Sequence, residues 1–165
     1  MKKAFKILIK IFLSIMIIHL FLNNFIVYNK TDSLKKGIYF VLPTNKENIK
    51  VGDIVLFDMP ENLDKFVHER KYIDDSCHTF LKKVGALTGA KIENKNNILF
   101  INDEAVGKIF LKDVLEKDLP QITNLIVSEN CFFPLGTHIK SFDGRYYGEI
   151  NKDLIRKKAF FLFPF

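Results

Sequence analysis

The sequence is poor in the residues that mark several protein classes. It contains no tryptophan, two cysteines, eight glycines and five prolines among 165 residues. With so little glycine and proline, the chain is neither collagen-like nor a linker-type segment. It also has no internal repeat and no glycine-rich phosphate-binding loop. Apolar residues make up 48% of the chain and charged residues 27%, so one domain can bury a core and wholesale disorder is excluded.

Acidic residues are absent from the first 29 positions, and this absence explains the charge balance. Residues 1–29 carry four lysines, whereas the remaining 136 residues carry 21 basic and 19 acidic groups. Most of the net charge of +6 therefore lies in a short N-terminal segment. The rest of the chain is nearly balanced, so we expect no nucleic-acid partner.

A long apolar run follows the first lysines. Residues 11–28 carry no formal charge at neutral pH, and a helix of this length spans about 27 Å, near the thickness of a bilayer core. The lysines before the run and the acids after it predict a single-pass segment with its N-terminus in the cytoplasm. No small-x-small cleavage site follows, which favours an uncleaved anchor over a removed signal peptide or a buried soluble helix.

This pattern predicts three parts of the chain. Residues 1–10 are expected to form a cytoplasmic basic tail, and residues 11–28 a signal anchor that contacts lipid in the cytoplasmic (inner) membrane. Residues 29–165 are expected to form one extracytoplasmic domain, periplasmic where a periplasm exists.

Beyond the anchor, short apolar runs bounded by proline, glycine or asparagine predict a mainly β domain. The predicted strands are residues 37–42, 53–59, 80–87, 97–101, 105–110, 125–128, 131–135 and 159–163. Residues 102–104 are typical of a hairpin turn. Helix is predicted only at residues 112–118 and 151–156. We expect a compact antiparallel β domain behind one N-terminal transmembrane helix.

Three segments of this domain carry reactive or ionisable groups. The first is N-K-T-D-S-L-K-K-G-I-Y at residues 29–39, with Ser33 at its centre. The second is F-L-K-K-V-G-A-L-T-G-A-K-I, in which strand alternation puts Lys82 and Lys83 on opposite faces. One of these lysines is expected to face the interior, where its burial is costly unless its pKa falls or it gains partners. The third is S-F-D-G-R-Y-Y-G at residues 141–148.

In this order behind one anchor, the three segments resemble the motifs of the type I signal peptidases, in particular those of the conjugal-transfer (TraF-type) branch. The likeness covers about residues 29–163 and includes V-G-D-I-V-L-F and F-I-N-D-E-A-V, which resemble two further strands of the family. The chain departs from the family pattern at four positions. Lys35 and Thr88 stand where the family has proline, Lys83 stands where it has arginine, and Ala90 stands where it has aspartate.

The resemblance implies the signal-peptidase fold and a serine endopeptidase with a Ser-Lys dyad. Ser33 is then the nucleophile, and Lys82 is the general base, which acts only as the neutral amine. The resemblance also implies that Thr31 donates a hydrogen bond to the oxyanion and that Ser141 holds the lysine amine in place. Asp143 and Arg145 would form a structural ion pair. No cofactor is implied.

The same resemblance implies substrates and partners. The substrates are exported or pilin-like precursor proteins, cut at their signal or leader peptides, and the partner is a transfer or secretion apparatus. A general secretory signal peptidase is the alternative within the class. A catalytically silent, anchored scaffold of a pilus or secretion complex is the alternative outside it.

Several residue patterns leave other questions open. The histidines show no metal-ligand spacing, so no metal is expected. A Ser-His-Asp triad with His138 and Asp143 would leave the lysine segment unexplained. Cys77 and Cys131 both follow the predicted anchor, and the sequence is compatible with a disulfide or with two free thiols. The C-terminal F-F-L-F-P-F is either a core strand or a patch that enters the membrane surface.

Overall fold

The computed structural model describes residues 2–165 as an N-terminal helix followed by two antiparallel β-sheets. The helices are α1 (Lys2–Phe25), α2 (Glu61–Glu69) and α3 (Gly144–Tyr147). The strands are β1 (Ile26–Asn29), β2 (Gly37–Leu42), β3 (Ile54–Asp58), β4 (Thr79–Leu87), β5 (Lys91–Lys95), β6 (Ile98–Ile101), β7 (Glu104–Lys108), β8 (Leu125–Ile126), β9 (Cys131–Leu135), β10 (Ile150–Asn151) and β11 (Ile155–Phe163). The predicted fold class, a mainly antiparallel β domain behind an N-terminal apolar helix, is confirmed.

Helix α1 is apolar and unburied. Within residues 2–165 it is the one helix long and apolar enough to cross a membrane, over Lys3–Phe25. The helix ends at Phe25, earlier than the predicted end of the anchor at residue 28, because Ile26–Asn29 pair with β2 as an edge strand. Met1, the first residue of the predicted basic tail, lies outside the described residues.

The larger sheet has the strand order β1-β2-β11-β3-β4-β9-β10, and all of its neighbours are antiparallel. Strand β4 lies in its interior, where Lys82 pairs with Val55 of β3 and Lys83 pairs with Leu135 of β9. The smaller sheet has the order β7-β6-β5-β8. Its β6–β7 hairpin turns at Asn102 and Asp103, both at positive φ, which confirms the predicted turn.

Three buried apolar clusters hold these elements together. The first packs α2 against β3, β4 and β9 through side chains such as Leu63, Val67, Phe57 and Phe132. The second joins the smaller sheet to β9 and α3. The third lies beneath the loop that carries Ser33 and consists of Leu34, Tyr39, Val41, Leu81 and Ala159. This third cluster fixes the serine loop to the larger sheet.

Each predicted strand corresponds to an observed one, with different bounds at several ends. The predicted helix at residues 112–118 is wrong. Asp113 Oδ1 instead accepts from the amides of Leu115 and Lys117, which folds the segment into a turn closed by a bridge between Lys112 and Asp118. The helix predicted at residues 151–156 is reduced to a 3₁₀ turn at Lys152–Leu154, because β11 begins at Ile155.

The C-terminal segment combines the two alternatives left by the sequence. It belongs to β11, which pairs with β2 and β3 and buries Ala159. Beyond Ala159, however, Phe160, Leu162 and Phe163 are exposed. The strand is therefore integral to the sheet, while its end presents an apolar surface.

The structure holds Cys77 and Cys131 as free thiols, so the disulfide alternative is not the one observed. Cys77 lies two residues before β4 begins at Thr79, whereas Cys131 precedes Phe132, which pairs with Leu87 at the other end of β4. A nine-residue strand spans about 26 Å, and a disulfide requires Cα atoms within about 7 Å. The register of β4 therefore separates the two thiols.

Candidate active site

Lys82 is buried on β4. Its side chain is 4% exposed, its Nζ donates to Ser141 Oγ at 3.1 Å, and the ammonium lies 5.1 Å from the centre of the Phe80 ring. Lys83, on the opposite face of the strand, is only half-buried. Strand alternation thus separates the two lysines as expected, and Lys82 is the one enclosed by protein.

Burial lowers the pKa of Lys82 to about 8. Removal of water from around the ammonium is the main cause, and the positive charge of Arg145 lowers the pKa further. The carboxylate of Asp143 acts in the opposite direction and limits the shift. At pH 7 about a tenth of the molecules therefore carry the neutral amine, which is the form a general base requires.

Ser33 lies half-buried in the loop between β1 and β2. Its Oγ is 2.9 Å from Thr31 Oγ1, which donates its own proton to Asn29 Oδ1 at 2.9 Å. Because the threonine proton is already used, Ser33 is the donor in the contact with Thr31. The Ser33 carbonyl oxygen accepts from the amide of Thr137 at 2.7 Å, which joins the serine loop to the loop after β9.

Asn29 organises the serine loop, although the sequence analysis assigned it no role. It is 7% exposed, and its Nδ2 donates to the carbonyl oxygens of Thr31, Leu34 and Lys35. Its Oδ1 accepts from both the amide and the hydroxyl of Thr31. The signal that could have identified it is its place as the first residue of the N-K-T-D-S motif.

Gly136 is the point at which the serine loop meets Ser141. A Cβ at this position would overlap Ser141 Oγ and lie 2.7 Å from the Ser33 carbonyl oxygen. Ser141 in turn accepts from Lys82, so one glycine brings all three elements of the site together. Within the described residues, no hydrogen bond joins Ser33 Oγ to Lys82 Nζ directly.

Asp143 and Arg145 form a buried bidentate ion pair next to this cluster. Arg145 Nε donates to Asp143 Oδ1 at 2.8 Å, and Arg145 Nη2 donates to Asp143 Oδ2 at 2.7 Å. The guanidinium also donates to four carbonyl oxygens, those of Lys108, His138, Ile139 and Ser141. Asp143 Oδ2 accepts from the amide of Gly136. The pair therefore fixes both ends of the loop that carries Ser141.

The Ser-His-Asp alternative is not formed. His138 Nδ1 accepts from the amide of Lys140 at 3.1 Å, and both Asp143 oxygens are engaged by Arg145. The aspartate of a triad would instead accept from the histidine Nδ1 proton. In the described chain, the side chains grouped closely enough to hold a metal lie away from this site, at the N-terminal end of β4.

The structure thus brings six of the predicted site residues into one region, namely Thr31, Ser33, Lys82, Ser141, Asp143 and Arg145. It leaves the two predicted cysteines outside that region. Asn29, Gly136 and Thr137 belong to the site and were missed, because main-chain contacts between distant loops have no signature in local sequence.

Comparisons with known proteins agree with the sequence motifs. The family model described as "Signal peptidase, peptidase S26" matches residues 1–164. The signal peptidase I of Bacillus caldolyticus is 27% identical over 158 residues, covering 87% of this chain and 80% of the relative. A crystal structure of a signal peptidase I from Enterococcus faecalis V583 aligns with a TM-score of 0.41 and 19% identity, over 67% of this chain and 96% of that one. Because the family model spans almost the whole sequence, the chain belongs to the signal peptidase (peptidase S26) family.

Proposed function

We propose that this signal-peptide-cleaving serine peptidase works through a dyad of Ser33 and Lys82. The observation that carries the proposal is the buried Lys82 amine, which is held by Ser141 and has a pKa lowered to about 8. A lysine with an ordinary pKa near 10.4 is almost entirely protonated at neutral pH and is a poor base. Burial supplies the neutral amine without a histidine.

The reaction follows ordinary acyl transfer. Ser33 Oγ turns from Thr31 towards Lys82, gives its proton to Nζ, and forms a bond to the scissile carbonyl carbon. The resulting ammonium protonates the leaving amine as the peptide C–N bond breaks. Lys82, neutral again, then takes a proton from water as the water oxygen attacks the acyl carbon. The bond from that carbon to Ser33 Oγ breaks, Ser33 takes the proton back from Lys82, and the second product leaves as a carboxylic acid. Ser141 keeps the amine in one position through these steps.

The negative charge that develops on the carbonyl oxygen needs donors. The amide of Ser33 and the hydroxyl of Thr31 are the groups we assign to it. In the free protein Thr31 donates to Asn29, so its hydroxyl must turn when substrate binds. Removal of one oxyanion donor costs about 3 kcal/mol of transition-state stabilisation. The buried Asp143–Arg145 pair acts through the loop rather than on the substrate.

We place the β domain, residues 26–165, outside the cytoplasmic membrane, with the apolar helix α1 as the anchor and its N-terminal lysines inside. Lys157 Nζ donates to the Asn24 carbonyl, and the rings of Phe25 and Phe40 stack, so the end of α1 rests directly on the larger sheet. This contact would hold the site near the point at which a precursor's own apolar segment leaves the membrane. A reporter fused after Phe165 should be external, and a cytoplasmic reporter would contradict this topology.

Within the family, we assign the chain to the conjugal-transfer branch, with pilin-like precursors as substrates and a transfer apparatus as partner. The support is the S-F-D-G-R-Y-Y-G form of the third motif and the small size of the domain. The general secretory role is the second candidate, favoured by the name of the Bacillus relative. Cleavage of a pilin-like precursor and of a secretory precursor by the same full-length enzyme in vesicles would separate the two.

Four variants test the dyad on whichever precursor is cut. Ser33→Ala and Lys82→Arg should be inactive, because neither can supply its proton-transfer group. Lys83→Arg is the matched control, since it makes the same change on the opposite face of β4, and His138→Ala tests the histidine alternative. Both of these should retain most activity. An active, folded Lys82→Arg enzyme would refute the Ser-Lys mechanism, and an inactive His138→Ala enzyme would revive the triad.

A further inference from the structure

Away from the catalytic cluster, three metal-ligating side chains converge where α2 approaches β4. Asp64 and His68 lie four residues apart on one face of α2, and His78 immediately precedes the first residue of β4. Each side chain offers one ligand atom, and the three atoms lie within 4.8 Å of one another. The catalytic mechanism uses none of them.

The separations suit ligands of a single ion. His78 Nδ1 lies 3.0 Å from Asp64 Oδ1 and 3.1 Å from Oδ2, and the ring centres of His68 and His78 are 5.1 Å apart. Ligand atoms at about 2.0–2.1 Å around a tetrahedral ion are themselves roughly 3.3 Å apart. Asp64 and His78 are therefore already at coordination distance from one another, and His68 completes a group that spans no more than 4.8 Å.

His68 has a nitrogen that its surroundings leave unused. Its Nδ1 is 2.8 Å from the Asp64 carbonyl oxygen, which can only accept, so Nδ1 carries the proton. Its Nε2 is buried and has no hydrogen-bond partner in the described chain. A buried acceptor without a partner is uncommon in proteins, and a main-chain bond to the other ring nitrogen is the usual support of a metal-bound imidazole.

We propose that Asp64, His68 and His78 bind a divalent transition-metal ion of the zinc class, with water at the remaining position. Two imidazoles and one carboxylate form a donor set that zinc takes in proteins. A hydrogen bond between Asp64 and His78 alone would leave His68 Nε2 unpartnered. The His78 side chain is 62% exposed, so water can reach the remaining coordination position.

The position indicates a structural ion. His78 is four residues before Lys82, about 13 Å along the strand, which is too far for the ion to act on the dyad. The His78 carbonyl also accepts from the amide of Met59, just before α2. A metal at this point would join α2 to the start of the strand that carries Lys82, and would thereby stabilise the fold.

The test uses the full-length chain in detergent, with any affinity tag removed and metal stripped with EDTA. Titration with zinc chloride in a calorimeter should show one equivalent bound. At about a hundredfold excess of zinc over Kd, the midpoint of thermal unfolding should rise by roughly 5–10 °C. His78→Ala should weaken zinc binding by at least about tenfold and remove the thermal shift. Its exposure means that the variant should fold.

His138→Ala is the matched control, because it removes a histidine from a different loop and should leave the zinc affinity unchanged. Asp64→Asn removes the carboxylate ligand and should likewise weaken zinc binding. Absence of saturable binding, or equal zinc affinity in wild type and His78→Ala, would overturn the site. The two readouts are zinc binding and thermal stability, and neither requires peptidase activity. The result is therefore independent of the peptidase proposal.

Discussion

Replacement of Lys82 by methionine should make the protein inactive and more stable. Methionine has nearly the same length as lysine, and it needs neither water nor a charge partner in the pocket beside Phe80. The gain in stability follows from the pKa of Lys82, which burial lowers from its ordinary value of 10.5 to about 8. A depressed lysine pKa means that the folded protein disfavours the ammonium, so the charged side chain destabilises the fold.

The size and pH range of this effect follow from linkage. Below pH 8 the lysine is protonated in both states, and the full cost of burying the charge, about 3 kcal/mol, is present. Between pH 8 and 10.5 the unfolded chain binds a proton that the native protein does not, so native stability rises with pH. Methionine removes this cost but leaves Ser141 Oγ without its donor, a loss of about 1 kcal/mol. The net gain at pH 7 is therefore about 2 kcal/mol.

Two assays check the prediction. Thermal unfolding at pH 7 should place the midpoint of Lys82→Met about 4–8 °C above that of the wild type, and the difference should be much smaller near pH 9.5. Precursor cleavage by the wild type should rise about tenfold between pH 7 and 9, as the neutral amine becomes the main form. A methionine variant less stable than the wild type at pH 7, or a flat activity profile across that range, would show that Lys82 is not a destabilised base.

Three further substitutions test how the site is held together. Gly136→Ala should force the Ser33 and Ser141 loops apart, with a loss of about 1–3 kcal/mol of stability and of most cleavage activity. Gly107→Ala is the control: its Cβ would make only an ordinary contact with Arg145 Nη1 at 3.8 Å, so stability should change by less than about 0.5 kcal/mol. Asn29→Ala leaves three carbonyl oxygens of the serine loop without their donor, so the free energy of unfolding by denaturant should fall by about 1–3 kcal/mol. An unchanged midpoint of unfolding would contradict this role of Asn29. Arg145→Met leaves the buried Asp143 carboxylate unpaired, so unfolding by denaturant should show a loss of about 3–5 kcal/mol in the free energy of unfolding. An unchanged free energy of unfolding would mean that the ion pair is dispensable.

Much of the fold could be predicted from the local pattern of apolar and turn-forming residues. Strands β2 and β9 begin and end where the apolar runs do, because flanking proline, glycine or asparagine interrupts the pairing. Strand β1 was missed because its apolar residues continue the run of α1, and a hydropathy pattern alone does not separate a helix from the strand that follows it. The end of the helix is set by pairing with β2, which is a tertiary contact.

The other errors have similar causes. Helix α2 was missed because its composition is polar, and only its inner face, with Leu63 and Val67, is buried. The segment after Asp113 was predicted as a helix, but the aspartate side chain bonds to two amides of its own loop and takes them from a helical ladder. The polar composition of α2 hides its buried face, and the competition of Asp113 with the helical backbone leaves no trace in an apolar pattern.

The candidate site was predictable at the level of residue identity but not of contact. Alternation along β4 showed that one of Lys82 and Lys83 faces inward, and the family resemblance selected Lys82. The role of Gly136 was not accessible in this way, because it depends on two loops more than a hundred residues apart. The bond between Ser33 and Thr31 was equally hidden, since it concerns the direction of a hydroxyl proton.

The distribution of buried polar groups provides a final argument about function. In residues 3–165, six polar or charged side chains are buried, and five of them are in the candidate site: Asn29, Lys82, Ser141, Asp143 and Arg145. A domain that served only as a scaffold would gain stability if such groups were replaced by apolar ones. We therefore expect Lys82→Met combined with Ser141→Ala to be more stable than the wild type by about 3 kcal/mol, because neither partner is then left unpaired. It should also cleave no precursor. If the double variant were less stable than the wild type and a folded enzyme with Lys82→Met alone still cleaved, the cluster would serve the fold and Lys82 would not be the base.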